Sequence, residues 1–129
     1  MSAKTVLVVE DSDPTRRLIE MCLTMDGLNV VHCADGESGL GMARDLLPDV
    51  IMLDIALPGI DGWEVLEQLR GESATSAIPV LVATAHDSDT FRNRAQTATA
   101  DAFLGKPFNL ADLRAAIDEL LKSQIPADG

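Results

Sequence analysis

The chain has 129 residues and a formal net charge of −11, which is enough for one domain with a full core and too short for two ordinary ones. The negative charge would repel a phosphate backbone, and the 10 basic residues are scattered rather than clustered, so the sequence disfavours direct nucleic-acid binding. An apolar content of 47% with only 3% aromatic residues indicates a core of Val, Ile, Leu and Ala.

Five short apolar runs, each followed by helical periodicity, organise the chain. In order they read TVLVV, LNVVHC, DVIML, IPVLVAT and AFL. Strands that alternate with helices form parallel sheets covered on both faces. We therefore predict an α/β fold with a doubly wound, five-stranded parallel sheet, whose functional crevice lies beyond the carboxyl ends of the strands.

The helices are predicted from their apolar faces and from the residues that begin and end them. Pro14 suits the first turn of the first helix, and the second helix covers residues 37–47. The third is predicted to end near Gly71, a residue that suits the left-handed position after a helix, and Asn109 with Asp112 caps the fifth. The fourth, over residues 88–98, has the weakest pattern. The positions expected to face the core are Leu18, Ile19, Cys22, Leu23, Leu40, Ala43, Leu47, Trp63, Val65, Leu66, Leu69, Leu110, Leu113, Ile117, Leu120 and Leu121.

Polar side chains stand where the strands end. Glu10 and Asp11 follow the first strand, Asp54 the third and Thr84 the fourth, and Lys106 comes just after the fifth. Three carboxylates in one crevice would repel one another and therefore need a cation or raised pKa values. Because all-oxygen ligands favour a hard ion and a few carboxylates leave positions for water and a phosphoryl oxygen, we predict Mg²⁺. With the hydroxyl and the ammonium, these are the parts of a phosphoryl-transfer centre.

Four stretches, VLVVEDS, PDVIMLDIALPGIDGWEVL, IPVLVATA and ADAFLGKPF, resemble the receiver domain of bacterial response regulators, the CheY-like family, over nearly the whole chain. The resemblance implies the (βα)5 flavodoxin-like fold with strand order 2-1-3-4-5. It implies a receiver domain over residues 1–124, followed by a disordered tail over 125–129. It also implies a phosphorelay protein that is not an enzyme. Such a protein takes a phosphoryl group from a histidine kinase or histidine phosphotransfer protein and signals to a downstream protein.

The same resemblance implies roles for individual residues. Asp54 would be the phosphoacceptor, and Asp11 and Asp54 would hold Mg²⁺ through their carboxylates. Glu10 would reach the ion through water and Ala56 through its backbone carbonyl. Lys106, together with Thr84, would bind the phosphoryl oxygens.

A switch is implied as well. Thr84 would shift toward the phosphoryl group and Phe103 would turn inward, which remodels the surface of the fourth helix, fifth strand and fifth helix. Ala56 and His86 would tune the rate at which the aspartyl phosphate hydrolyses. Pro107 would stiffen the turn after Lys106 and can adopt a cis peptide bond.

The stretch DSDPT, residues 11–15, also resembles the D-x-D-x-T motif of haloacid-dehalogenase-type phosphatases. There Asp11 would be the nucleophile and Asp13 the general acid. That family needs a further acid pair at another strand end and has no use for Asp54, so the receiver interpretation is favoured and Asp13 becomes a helix cap. A flavodoxin-like flavin binder is a third class, disfavoured because EDSD is an anionic sequence where a phosphate would bind.

Further expectations concern the ends of the chain, the cysteines and one departure from the family. With Met1 as a natural start and no second domain, we expect a stand-alone receiver, although a module of a longer regulator or hybrid kinase stays open; dimerisation is possible. No signal peptide or membrane-length apolar run is present, so we predict a cytoplasmic protein with Cys22 and Cys33 reduced and buried, with a disulfide between them as the alternative. Thr99 stands where the family often has glycine, which predicts a short, shifted or mobile fourth helix.

Overall fold

A five-stranded parallel sheet forms the centre of the protein. The computed structural model describes residues 3–84 and 100–122, including the backbone but not the side chain of Thr84. The strands are β1 (Thr5–Val9), β2 (Asn29–Cys33), β3 (Val50–Asp54), β4 (Val80–Thr84) and β5 (Ala102–Gly105). They lie in the order β2-β1-β3-β4-β5. The predicted doubly wound α/β fold and its strand order are therefore confirmed.

Helices cover both faces of this sheet. They are α1 (Asp13–Met25), α2 (Gly36–Leu46), α3 (Gly62–Gly71) and α4 (Leu110–Lys122), and α4 is the predicted fifth helix. One core cluster joins α2 and α3 to the sheet, and a second joins α1 and α4 to the opposite face. Because both faces are covered, the apolar side chains of β3 are all buried, which is why this strand reads as a continuous apolar run. Within the described residues, no helix has the length and apolar character that crossing a membrane requires.

The pairing register places the strand ends side by side. Val9 at the end of β1 is opposite Leu53 of β3, so Glu10 and Asp54 follow in parallel. Thr84 at the end of β4 is opposite Gly105, directly before Lys106. The register therefore gathers the predicted polar residues at one edge of the sheet.

Some predicted core positions and one predicted backbone conformation are wrong. Leu18 on α1 is 54% exposed and Leu110, the first residue of α4, is 41% exposed. Leu47 is 53% exposed because α2 ends at Leu46 and Leu47 turns outward with a φ of 46°. The predicted end of α3 near Gly71 is confirmed, but Gly71 is the last helical residue rather than a left-handed residue after the helix, and Glu72 is extended.

The predicted helix caps have different outcomes. The backbone N–H of Asp112 donates to Asn109 Oδ1 at 2.7 Å, which confirms the cap of α4. The predicted cap at Asp13 is wrong, because Ser12 takes the N-cap position and Asp13 is the first helical residue. Asp13 instead forms an ion pair with Arg16, one turn along the helix.

The remaining predictions concern the cysteines and residues outside the described ranges. Both cysteines are free, but only Cys22 is buried, because Cys33 lies on the edge strand β2 and is partly exposed. The predicted helix over 88–98, Thr99, His86 and the tail over 125–129 lie outside the described residues.

Candidate functional site

Three carboxylates converge at the carboxyl edge of the sheet. Glu10 follows β1, Asp11 is next to it, and Asp54 is the last residue of β3, and their carboxylate oxygens lie within 4.8 Å of one another. Glu10 is 2% and Asp54 5% exposed, whereas Asp11 is exposed. Two nearly buried carboxylates beside a third require positive charge close by.

Lys106 supplies positive charge to this cluster. Its ammonium donates to Glu10 Oε1 at 2.5 Å and to Asp54 Oδ2 at 3.4 Å, and its side chain is only 19% exposed. Burial alone would lower the pKa of this ammonium, but the hydrogen bond to Glu10 and the charges of Asp54 and Glu10 outweigh it and raise the pKa. Lys106 is therefore a cation in the site. The Lys106–Pro107 peptide bond is cis.

The turn between β1 and α1 is held by hydrogen bonds to Glu10. The backbone N–H of Ser12 donates to Glu10 Oε2 at 3.1 Å, and Arg16 Nη1 donates to the backbone oxygen of Glu10, also at 3.1 Å. The Arg16 side chain is 15% exposed and also bonds Asp13. Sequence reasoning missed Arg16. The available signal was an arginine one turn into a helix that follows a run of acids, where its guanidinium can reach back to them.

The loop between β3 and α3 presents backbone groups beside Asp54. The N–H of Ala56 donates to Asp54 Oδ1 at 3.2 Å, and Ala56 itself is exposed. The N–H groups of Leu57 and Gly62 both donate to the backbone oxygen of Ile55, each at 3.0 Å. These bonds close the loop tightly around the last residue of β3.

The predicted switch residues are only partly described. The backbone of Thr84 lies at the end of β4, next to the segment that carries Lys106. Phe103, in the middle of β5, is partly buried and packs against the core on the α2 and α3 face. The Thr84 side chain and His86 lie outside the described residues. Among the described site residues, the structure brings together Glu10, Asp11, Asp54 and Lys106.

The donor set fits a hard divalent cation. Carboxylate oxygens are the ligands that Mg²⁺ prefers, and the exposed Asp11 gives the cluster an open side toward solvent. The ammonium already held by Glu10 and Asp54 shows that this position favours positive charge.

A comparison with protein families identifies the chain. Residues 6–118 match the family model of the response regulator receiver domain. The chain belongs to this family. Receiver domains are phosphoacceptor signalling domains rather than enzymes in the usual sense, and they interact with histidine kinases and downstream effectors. The match includes DSDPT, so it speaks against the phosphatase interpretation of that stretch.

Individual relatives of this receiver domain agree. It is 38% identical over 124 residues to the response regulator MprA of Mycolicibacterium vanbaalenii, covering 96% of this chain and 53% of MprA. A putative response regulator from Chloroflexus aurantiacus superposes with a TM-score of 0.89 at 30% identity, covering 94% of this chain and 99% of that one.

The receiver domain of the sensor histidine kinase PA1611 of Pseudomonas aeruginosa has a TM-score of 0.87 at 26% identity, covering 94% of this chain and 99% of that one, and holds a magnesium ion in its active-site cleft. By contrast with these solved receiver domains, the chain spans about half the length of the curated relatives it matches, such as MprA.

Proposed function

We propose that the protein accepts a phosphoryl group on Asp54 and that this modification changes its binding to another protein. The observation that carries the proposal is the Lys106 ammonium between Glu10 and Asp54, with Asp11 completing the cluster. A carboxylate fixed beside a cation and two further acids has the surroundings that phosphoryl transfer needs. Asp54 also ends a fully buried strand, so its position is firmly defined.

In the proposed reaction, an Asp54 carboxylate oxygen attacks the phosphorus of a phosphohistidine on the donor protein. A new O–P bond forms as the N–P bond breaks, and the histidine nitrogen leaves with the electron pair. Lys106 would neutralise charge on the transferred oxygens, with Thr84 donating a hydrogen bond. Hydrolysis by water would reset the site, with Ala56 and His86 tuning its rate.

We propose Mg²⁺ as the metal of this site. Asp11 and Asp54 would hold it through their carboxylates, Glu10 through water and Ala56 through its backbone carbonyl. When bound, the ion would neutralise negative charge on the acids and on the phosphoryl group. The carboxylate cluster and the magnesium in the PA1611 receiver domain support this assignment.

The signal would pass to the protein surface through Thr84 and Phe103. Thr84 would move toward the phosphoryl group, and Phe103, which is only partly buried, would turn further inward. This would remodel the surface of the fourth predicted helix, β5 and α4. Pro107 would stiffen the adjoining turn after Lys106.

The proposed partners are a histidine kinase or histidine phosphotransfer protein as donor and a downstream protein as target, in the cytoplasm. We propose a receiver over residues 1–124, with 125–129 as a tail, that acts as a stand-alone protein and can dimerise. A second candidate is a receiver that works within a longer regulator, and the 53% coverage of MprA favours it. A pull-down that compares phosphorylated and unphosphorylated protein tests whether the modification changes a binding partner.

Labelling with acetyl phosphate and Mg²⁺, followed by mapping of the modified residue, tests the phosphoacceptor. We expect Asp54→Ala to abolish labelling and Asp13→Asn, an exposed acid outside the cluster, to label like the unaltered protein. Labelling on Asp11 that survives Asp54→Ala, or steady turnover of phosphate esters, would overturn the proposal.

A further inference from the structure

Gly62 packs its backbone directly against the end of β3. A Cβ atom at this position would lie 2.4 Å from the backbone oxygen of Asp54 and 2.7 Å from the Cα of Ile55. Both contacts are with backbone, which cannot rotate away as the tip of a side chain can. Contacts of a Cβ atom below 3.0 Å are essentially never seen, so a side chain would force α3 and the Asp54 oxygen apart by at least 0.6 Å, the difference between 3.0 and 2.4 Å.

The contact is part of a closed backbone arrangement. Gly62 donates its N–H to the Ile55 oxygen at 3.0 Å, so the start of α3 is bonded to the residue between Asp54 and Ala56. Gly62 does not have a positive φ, so backbone conformation does not require glycine there. The close approach of α3 to β3 is therefore the reason that no side chain fits.

We propose that Gly62 is a positioning residue for phosphoryl transfer: its missing side chain lets α3 approach closely enough to fix the Asp54 carboxylate and the Ala56 carbonyl. The inference rests on the proposed function of Asp54. A displacement of about 1 Å from a reactive geometry can slow a reaction by about a hundredfold. The separation that a side chain would force between α3 and the end of β3 approaches that size, and any part of it taken up by β3 moves Asp54.

The chain offers a matched control in Gly36. Gly36 begins α2 as Gly62 begins α3, both are buried, and both follow an Asp N-cap. The nearest atoms to a Cβ at Gly36 are side-chain carbons of Ile60 and Val65, each at 2.7 Å, followed by the Ile60 backbone oxygen at 3.0 Å, and neither residue belongs to the acidic cluster. Gly36→Ala should therefore damage packing without moving Asp54.

The test compares Gly62→Ala, Gly36→Ala and the unaltered protein. The folded fraction is measured by circular dichroism and the Mg²⁺ affinity by calorimetry. The initial rate of acetyl-phosphate labelling is then measured at saturating Mg²⁺. Per folded molecule, we expect Gly62→Ala to label about tenfold to a hundredfold more slowly and to bind Mg²⁺ more weakly. Gly36→Ala should match the unaltered protein in both measurements while losing stability.

Labelling and Mg²⁺ affinity of Gly62→Ala within about twofold of the Gly36→Ala control would overturn the inference. If the unaltered protein is not labelled, the proposed function fails, and the Mg²⁺ affinities alone then decide the role of Gly62. If Gly62→Ala is unfolded in buffer, all three proteins are compared in trimethylamine N-oxide, which favours the folded state. A Gly62→Ala protein that stays unfolded there would show that the glycine serves the fold rather than the site, which also overturns the inference.

Discussion

Replacement of Lys106 by Met removes the ammonium between two nearly buried carboxylates. Lys106 Nζ is 2.5 Å from Glu10 Oε1 and 3.4 Å from Asp54 Oδ2. Methionine has a comparable length and no charge, so the variant keeps most of the packing. What it leaves behind is Glu10 and Asp54 facing each other without the ammonium that bonds both of them.

The size of the effect follows from these distances. With an effective dielectric constant of about 20, the two attractions amount to about 7 and about 5 kcal/mol, most of which is offset by loss of solvation. Removal of one partner of a buried ion pair lowers stability by about 3 to 5 kcal/mol. Because 19% of the Lys106 side chain remains exposed, we expect the low end, about 3 kcal/mol.

Urea unfolding without divalent cations, followed by far-UV circular dichroism, measures this difference. Lys4→Met is the control, because Lys4 is 54% exposed and lies 3.9 Å from Asp49, so its loss should change the free energy of unfolding by less than about 0.5 kcal/mol. Added Mg²⁺ should stabilise Lys106→Met more than the unaltered protein, since the ion replaces the missing cation. If Lys106→Met unfolds at the same urea concentration as Lys4→Met, the ammonium does not stabilise the two carboxylates and the reasoning is wrong.

Three further predictions concern stability and reactivity. Gly41→Ala should stabilise the protein by about 1 kcal/mol in urea unfolding, because alanine favours the helix and a Cβ there meets nothing within 4 Å. Gly39→Ala should lose this gain, because its Cβ would lie 3.0 Å from a side-chain carbon of Val9 in β1. Burial and the charge of a nearby aspartate raise the pKa of Cys33 to about 11. Its alkylation by iodoacetamide near pH 8 should therefore be about 100-fold slower than in the urea-unfolded chain, and the alkylation rate should keep rising toward pH 11. Equal rates in the folded and unfolded chains would contradict this. Asp101→Ala removes the carboxylate that accepts hydrogen bonds from Arg70 at 2.6 Å and from the first backbone N–H of β4 at 2.8 Å. Urea unfolding should therefore show a free energy of unfolding lower by about 1 to 2 kcal/mol. An unchanged free energy of unfolding would show that water replaces both bonds.

The sheet and its polar edge were predictable because strand ends are marked in the sequence. Buried parallel strands read as continuous apolar runs, and the first polar residue after each run lies at the carboxyl edge. Glu10, Asp54 and Lys106 were found in this way. Right-handed crossovers restrict the order of parallel strands to a few possibilities, and the resemblance to the receiver family selected among them.

Features that depend on the path of one side chain or on close backbone packing were not predictable. Periodicity placed Leu18 on the inner face of α1, but it could not show that the inner face is narrow and leaves Leu18 exposed. It also could not show that the long Arg16 side chain returns to the Glu10 carbonyl. The need for glycine at position 62 comes from a contact between α3 and β3, which only the folded backbone reveals.

The strand order gives the two sides of the acidic site different mechanical support. Glu10 and Asp54 belong to the ends of β1 and β3, and each of these strands is hydrogen-bonded to a neighbour on both sides. Lys106 follows β5, which pairs only with β4 within the described part of the sheet. Displacing β5 breaks one ladder of hydrogen bonds, whereas displacing β1 or β3 breaks two. The acids therefore form a fixed frame, and the lysine sits on the strand that can be displaced with the smaller loss of hydrogen bonds.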